Sequence, residues 1–151
     1  MLRGVQHRVG IRGALRDIFN ALTVPNELGS WWVTQAQGTT PKVGALLTLS
    51  FSGRQDLSFR ILELDPNRLV VLVCFKGPLA WQGTHLQFRL SEDANQVFVD
   101  LMHANIGDPD SFLYFNTKWP IYLLSLKAYR DRTGNTLPER DKNSYWRLVH
   151  S

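Results

Sequence analysis

The sequence predicts an α+β domain in which a curved antiparallel sheet wraps around one long C-terminal helix. Three observations support this prediction. Apolar and polar residues alternate through most of 45–104, as in strands with one buried face. Apolar residues instead follow helical spacing over 13–22 and again over about 110–131. Because 151 residues is a usual length for one domain, these segments belong to one unit.

The predicted order begins with a strand and two short helices. Residues 4–11 alternate, and one face of that strand carries Val5, His7, Val9 and Ile11. Residues 13–22 then follow helical spacing. Pro25 disfavours a helical residue before it and suits the first turn of a second helix over 25–32.

Further strands are predicted in close succession at 45–52, 57–64, 69–76, 83–90 and 96–104. The apolar residues change from odd to even positions between Ile61 and Leu62, which predicts a bulge or a twist in the strand over 57–64. Residues 69–76 are apolar on both parities, as in a strand that is covered on both faces. The expected sheet therefore has about six or seven strands.

The last predicted element is a long helix with one apolar stripe, formed by Phe112, Phe115, Trp119, Leu123 and Leu126. Pro120 lies inside it, and we expect a kinked helix there instead of two helices because the stripe continues in phase. Gly134 is the expected end of the helix. We therefore predict a domain over 1–134 and a tail over 135–151 that is either docked or flexible.

Composition argues against several classes of protein. The net charge is +4, but the basic residues are scattered and accompany no recognition motif, so nucleic-acid binding is not expected. Cys74 is the only cysteine, which leaves no intramolecular disulfide. Neither a nucleotide-binding motif nor a trio of metal ligands is visible, so we expect no cofactor and no metal. We expect no membrane span, and a cytoplasmic location follows by default.

A curved sheet that grips a helix leaves a gap between its concave face and the helix, and ligand pockets are mostly apolar with a few polar groups. The residues predicted to face this gap form the candidate lining of such a cavity: Trp32, Leu47, Leu49, Phe51, Phe59, Trp81, Leu86, Phe88, Val99, Leu101, Phe112, Trp119 and Leu123. For any single one of these side chains, packing in a solid core is favoured over contact with a ligand.

His103 has the same inward parity and is the one candidate catalytic residue. A histidine in an apolar cavity can orient a polar group of a ligand or transfer protons near neutral pH. It can also be a structural residue, bonded to a backbone carbonyl or to Tyr114 or Tyr122. Glu63 lies beside the expected bulge, so its direction is open; a buried Glu63 next to His103 would favour catalysis.

Several segments together resemble the START-like, helix-grip fold of the SRPBCC superfamily, in the branch homologous to activators of a heat-shock chaperone ATPase (AHSA-type). The segments are Phe19-Asn20-Ala21-Leu22-Thr23, Ser30-Trp31-Trp32, Glu63-Leu64-Asp65-Pro66-Asn67-Arg68-Leu69, and Trp119, Leu123, Leu126 and Lys127 in the last helix. The resemblance covers roughly residues 4–131. It implies the fold, and a cavity of the kind that binds lipids, sterols, polyketides or hormones in other members.

Three functions remain open at this point. We favour binding of an apolar or amphipathic small molecule, lipids included, over catalysis. The first alternative is a chaperone-linked protein-interaction module of the stress response, in which Tyr145 and Trp146 of the tail dock on a partner. The second is a cyclase-like or dehydratase-like enzyme that uses His103. A fold does not decide among them, and either a monomer or a homodimer is compatible with the sequence.

Overall fold

The computed structural model describes residues 4–131 and 147–150. Its elements in chain order are β1 Gly4–Ile11, α1 Leu15–Thr23, α2 Pro25–Trp31, β2 Gln35–Gly38, β3 Leu46–Ser50, β4 Leu57–Asp65, β5 Leu69–Lys76, β6 His85–Asp93, β7 Gln96–Ala104 and α3 Pro109–Asp131. The strands form one antiparallel sheet in the order β1-β7-β6-β5-β4-β3-β2. Its buried face and α3 enclose the core, which confirms the predicted α+β helix-grip fold.

Strand β2 is the element that the sequence did not predict. Its residues, Gln35–Gly38, are mostly polar, so alternation gives no signal there. It pairs only with β3 and forms one edge of the sheet, where a strand needs little apolar surface. The sheet therefore has seven strands, one more than the segments that alternation identified.

The predicted bulge in β4 is present. The register of β4 against β5 shifts between Ile61 and Glu63, so Ile61 is buried while Leu62 and Glu63 are both exposed. A bulge bends its strand and increases the local twist, which helps the sheet to curve around α3.

Helix α3 runs without a break through Pro120, as the continuous apolar stripe predicted. The predicted end of this helix at Gly134 lies outside the described residues, and so does most of the tail. Residues 147–149 are helical, and Val149 is buried against the domain.

Trp31 connects the two short helices to each other and to α3 through hydrogen bonds. Its indole Nε1 donates a hydrogen bond to the Ala21 carbonyl oxygen over 2.7 Å, which joins α2 to α1. Its carbonyl oxygen accepts a hydrogen bond from Ser125 Oγ of α3. Buried polar groups with partners of this kind fix one arrangement of the elements. The next residue, Trp32, is thereby placed between α2 and α3.

Candidate functional site

Aromatic side chains fill the space between the concave face of the sheet and α3. We call this set the aromatic cluster: Trp32, Phe51, Trp81, His103, Phe115, Trp119 and Tyr122. Trp32 lies at its centre, with its ring centroid 5.4 Å from that of Trp119 and 5.8 Å from that of Tyr122. Phe51 and Trp81 contact the same indole at 6.1 and 6.5 Å. A ligand that enters here must part these rings, because protein interiors leave few voids.

Trp81 reaches the cluster from the loop between β5 and β6. The backbone of Gly77 has φ +151° there, and a Cβ at this residue would lie 2.9 Å from Leu57 Cδ2. Only glycine fits both conditions without strain. Thr84 completes the turn, since its hydroxyl donates to the Trp81 carbonyl oxygen over 2.7 Å. The loop thus folds inward and lays the Trp81 ring on His103.

His103 is fully buried on β7, with the centroid of its ring 4.9 Å from that of Trp81 and 4.3 Å from that of Phe115. Its Nδ1 accepts a hydrogen bond from Trp119 Nε1 over 3.0 Å. Burial lowers the pKa of His103 from 6.5 to about 3, so the ring is neutral at physiological pH. A neutral ring whose Nδ1 accepts must carry its proton on Nε2. His103 is therefore a hydrogen-bond donor at Nε2.

Two buried donors of the cluster have no partner within residues 4–131 and 147–150. They are His103 Nε2 and Trp32 Nε1. Both rings contact Trp81 and Trp119, so the two donors belong to the same small region of the interior. A buried donor without a partner costs about 1–3 kcal/mol. The interior therefore contains two N–H groups for which the described residues supply no acceptor.

The structure brings together the residues that the sequence predicted as a cavity lining. All but one of them are buried among the core residues: Trp32, Leu47, Leu49, Phe51, Phe59, Trp81, Leu86, Phe88, Val99, Leu101, Trp119 and Leu123. Phe112 is only partly buried. It lines a cavity of about 400 Å³ at the N-terminal end of α3, together with Ile106, Pro109 and Leu113.

The structure corrects one interpretation of His103 from the sequence and answers one question that the sequence left open. Neither Tyr114 nor Tyr122 is its partner; that role belongs to Trp119. The sequence offered no way to prefer Trp119, because its indole was assigned only to the apolar stripe. Glu63 is exposed on β4, so the carboxylate that would have supported catalysis is not in the interior.

A second group of polar residues lies next to Phe51 and Tyr122, at one end of the cluster. Lys118 of α3 is 7% exposed, and its Nζ donates to the carbonyl oxygens of Leu148 and Val149 over 3.2 and 3.4 Å. His150 packs on Phe51 with ring centroids 5.7 Å apart. Arg54 Nη1 lies 3.4 Å from the Tyr114 hydroxyl. No pattern in the sequence indicated a role for Lys118, Arg54 or His150.

Electrostatics in this second group are dominated by burial and by repulsion between cations. Burial first, and Arg54 second, lower the pKa of Lys118. Burial, Arg54 and Lys118 lower the pKa of His150. Burial raises the pKa of Tyr122, so its hydroxyl stays protonated. Two basic side chains, Arg54 and Lys118, therefore lie close together beside the aromatic cluster, and the His150 ring lies near both.

In the part of the chain that the structure describes, no three His, Cys, Asp or Glu side chains come close enough to hold a metal ion together. No described helix combines the length and the apolar character needed to cross a bilayer.

The sheet, the gripped helix and the aromatic interior define a START-like α+β domain. Residues 14–131 match the family described as "Activator of Hsp90 ATPase homolog 1-like protein". The chain belongs to this family. No match was found among curated protein sequences.

Solved structures with the same fold include the Aha1 dimer from Colwellia psychrerythraea. It is 31% identical to this chain, with a TM-score of 0.77 over 89% of this chain and 99% of that one. CalU16 from Micromonospora echinospora is 20% identical, with a TM-score of 0.72 over 99% of this chain and 90% of that one. A Mesorhizobium loti protein, MLL2253, is 20% identical, with a TM-score of 0.74 over 87% and 98%. The two less similar proteins support the fold alone.

Proposed function

We propose that this domain binds an apolar, ring-shaped small molecule that carries a hydrogen-bond acceptor, in the interior between the sheet and α3. The observation that supports this proposal is the pair of buried donors, His103 Nε2 and Trp32 Nε1, in one aromatic cluster. A carbonyl or ether oxygen has lone pairs for such donors, and flat rings can stack on indole faces. The ligand would be held by its fit to the interior, by stacking on the indole rings and by hydrogen bonds from the two donors.

The geometry gives less support to an enzyme that uses His103. A general base needs an available lone pair, and the lone pair of His103 at Nδ1 already accepts from Trp119. The Nε2 nitrogen carries the proton and can donate a hydrogen bond. No Asp or Glu side chain is buried in the described part of the chain, and Glu63 is exposed, so no described carboxylate lies among the aromatic cluster. Orientation of a ligand oxygen is the role that this histidine can perform.

A matched pair of ligands tests the proposal. Fluorenone and fluorene have the same ring framework, but only fluorenone has a carbonyl oxygen. Both can be titrated into the protein while tryptophan fluorescence is followed. We expect fluorenone to bind about tenfold more tightly, since one net hydrogen bond contributes roughly 1.4 kcal/mol. Equal affinities, or no binding of either compound to folded protein, would contradict the proposal.

Variants show whether the preference comes from the donor pair. Trp32→Phe removes one donor and should reduce the preference for fluorenone. Trp31→Phe is the matched control, because the Trp31 indole already donates to the Ala21 carbonyl and should not take part. A preference that survives Trp32→Phe unchanged would place the ligand elsewhere, for example in the cavity beside Phe112.

We propose a protein-interaction role as a second candidate, because the family is described by its likeness to an activator of the Hsp90 ATPase. Three apolar side chains stand on the outer face of neighbouring strands: Leu46 is 49% exposed, Leu62 39% and Phe75 49%. Exposed apolar groups of this kind often mark interfaces. Purified domain should then stimulate the ATPase of an Hsp90-class chaperone, and Phe75→Ser should weaken the stimulation. If the domain does not stimulate the chaperone's ATPase at all, this second candidate function is contradicted.

A further inference from the structure

The outer face of β5, which points away from the core, is apolar along the strand. Four of its residues, which we call the β5 stripe, remain partly or largely exposed: Leu69, Val71, Val73 and Phe75. The sequence predicts a strand that is covered on both faces, but the described residues bury only the inner one. A sheet face in contact with water normally carries polar residues. The β5 stripe therefore indicates a surface on which another apolar surface packs.

Strand β4 places two opposite charges beside the β5 stripe. In the ladder, Arg60 is paired with Val73 and Glu63 with Val71, so both charged side chains share the outer face with the stripe. Both are exposed, and Leu62 of the bulge is exposed between them. Neither Arg60 nor Glu63 forms an ion pair with another residue of the described ranges. The outer face thus presents one free cation and one free anion at neighbouring levels.

The β5 stripe is complementary to itself about a twofold axis. Such an axis would lie parallel to the sheet and cross the strands at the level of Leu72, midway between Val71 and Val73. Rotation about it lays β5 antiparallel on β5 of a second copy. Phe75 then faces the partner's Leu69, and Val73 faces the partner's Val71, so every residue of the stripe meets an apolar residue. A twofold interface of this kind is the commonest form of association between identical chains.

The same axis brings the opposite charges together. It lays β4 on β4 and exchanges the levels of Arg60 and Glu63, so each faces the other residue of the second copy and two ion pairs form. Packed sheets lie about 10 Å apart, a distance that an arginine and a glutamate can span together. Leu62 lies near the axis. On β6 the residues at the two exchanged levels are His85 and Gln87, so no two acidic side chains are opposed there.

We propose that this outer face is the interface of a homodimer, in which the β5 stripe packs on its own copy and Arg60 pairs with the partner's Glu63. A second copy fits better than an unrelated protein, because one axis satisfies the apolar residues and the charges together. The interior and its donors take no part, since they lie on the other face of the sheet. Leu62 and Phe75 belong to this interface, so the dimer would withhold them from a chaperone.

Sedimentation equilibrium tests whether the dimer exists. At low ionic strength, where screening is weakest, the apparent mass of the wild type should approach that of two chains as its concentration is raised from about 1 µM to about 1 mM. A wild type that stays a monomer over this range would overturn the inference and leave the face to the chaperone of the second candidate function. A mass that grows beyond two chains would also overturn it, because a twofold contact closes at the dimer.

Charge reversal tests the pairing. Arg60→Glu opposes two pairs of carboxylates, and Glu63→Arg opposes two pairs of guanidinium groups. Each should raise the dissociation constant of the dimer about tenfold. The double variant Arg60→Glu/Glu63→Arg forms both ion pairs again with their signs exchanged, so it should dimerise like the wild type. Arg16→Glu, at an exposed residue of α1, changes the net charge equally and should leave the dissociation constant unchanged.

The double variant separates a contact between charges from a general effect of substitution. Single variants that dimerise as well as the wild type, or a double variant as weak as the single ones, would overturn the interface. All four variants should keep the preference for fluorenone over fluorene, because the substituted side chains lie outside the interior. Loss of the dimer and loss of ligand binding are therefore separate results, and the proposed binding function can stand or fail independently.

Discussion

Trp119 Nε1 donates a hydrogen bond to His103 Nδ1 over 3.0 Å, and this contact determines which nitrogen of His103 carries the proton. Because Nδ1 accepts, Nε2 is the protonated nitrogen, and it faces an interior without a described partner. A tryptophan and a histidine that would otherwise only pack thus produce an oriented donor. The predictions below follow from this pair and from the residues around it.

The tautomer of His103 can be observed directly. Correlation spectra that connect ring protons with ring nitrogens should show Nε2 protonated and Nδ1 unprotonated in the wild type. Trp119→Phe removes the donor to Nδ1, so the preference for this tautomer should weaken. The variant should also lose about 1–3 kcal/mol of its free energy of unfolding, because His103 Nδ1 is left without a partner. A proton on Nδ1 in the wild type would contradict the assignment.

Stability should decrease in acid because of His103. Its pKa is about 3 in the folded state and near 6.5 in the unfolded state, so below pH 6.5 the unfolded state binds more protons. This group therefore contributes a loss of up to about 1.4 kcal/mol per pH unit as the pH decreases from 6.5 towards 3. Urea unfolding at several pH values should show a smaller slope for His103→Gln. An unchanged slope in His103→Gln would contradict this account of the acid sensitivity.

Trp31 and Trp32 are neighbours with stacked rings, 5.6 Å apart, but their indole N–H groups differ. Trp31 Nε1 donates to the Ala21 carbonyl oxygen, whereas Trp32 Nε1 has no described partner. Trp31→Phe should therefore destabilise the protein more than Trp32→Phe, by about 1–3 kcal/mol, since both lose similar volume. Denaturant unfolding gives the comparison. Equal losses would mean that Trp32 also has a structural partner.

Gly77 gives a test of the loop that carries Trp81. Gly77→Ala adds a Cβ at φ +151° that would lie 2.9 Å from Leu57 Cδ2, so we expect a loss of about 1–3 kcal/mol. The near-ultraviolet circular dichroism of the aromatic cluster should change as Trp81 moves. Gly29→Ala is the control, since nothing lies within 4 Å of its added Cβ in α2; it should stabilise by about 0.5–1 kcal/mol. An unchanged stability of Gly77→Ala would show that the loop adapts without strain.

The fold could be predicted because its core strands and helices follow strict periodicity. Alternation identified β7 and placed His103 on the buried face, and a stripe that stays in phase identified α3 through Pro120. Strand β2 could not be predicted, because Gln35–Gly38 lies at an edge and needs no apolar face. Periodicity in a sequence reveals strands that bury one apolar face, and a polar edge strand such as β2 has no such face.

The candidate site was predictable only as a set of inward residues. Strand alternation places His103 in the interior, and the apolar stripe of α3 places Trp119 there too. Neither pattern shows that the indole N–H of Trp119 reaches a ring nitrogen of His103. Lys118 shows a second limit: its burial depends on residues 147–150, which are distant in sequence and carry no periodic signal of their own. Contacts of this kind follow from tertiary packing, which local patterns do not encode.

The central claim is that His103 Nε2 and Trp32 Nε1 donate to an oxygen of the ligand, and the infrared carbonyl band of bound fluorenone tests it most directly. A hydrogen-bonded carbonyl absorbs at lower frequency than a free one. We predict that the band lies below its position in a hydrocarbon solvent, and that it moves back towards that position in Trp32→Phe but not in Trp31→Phe. A band at the hydrocarbon position in wild-type protein would contradict the claim.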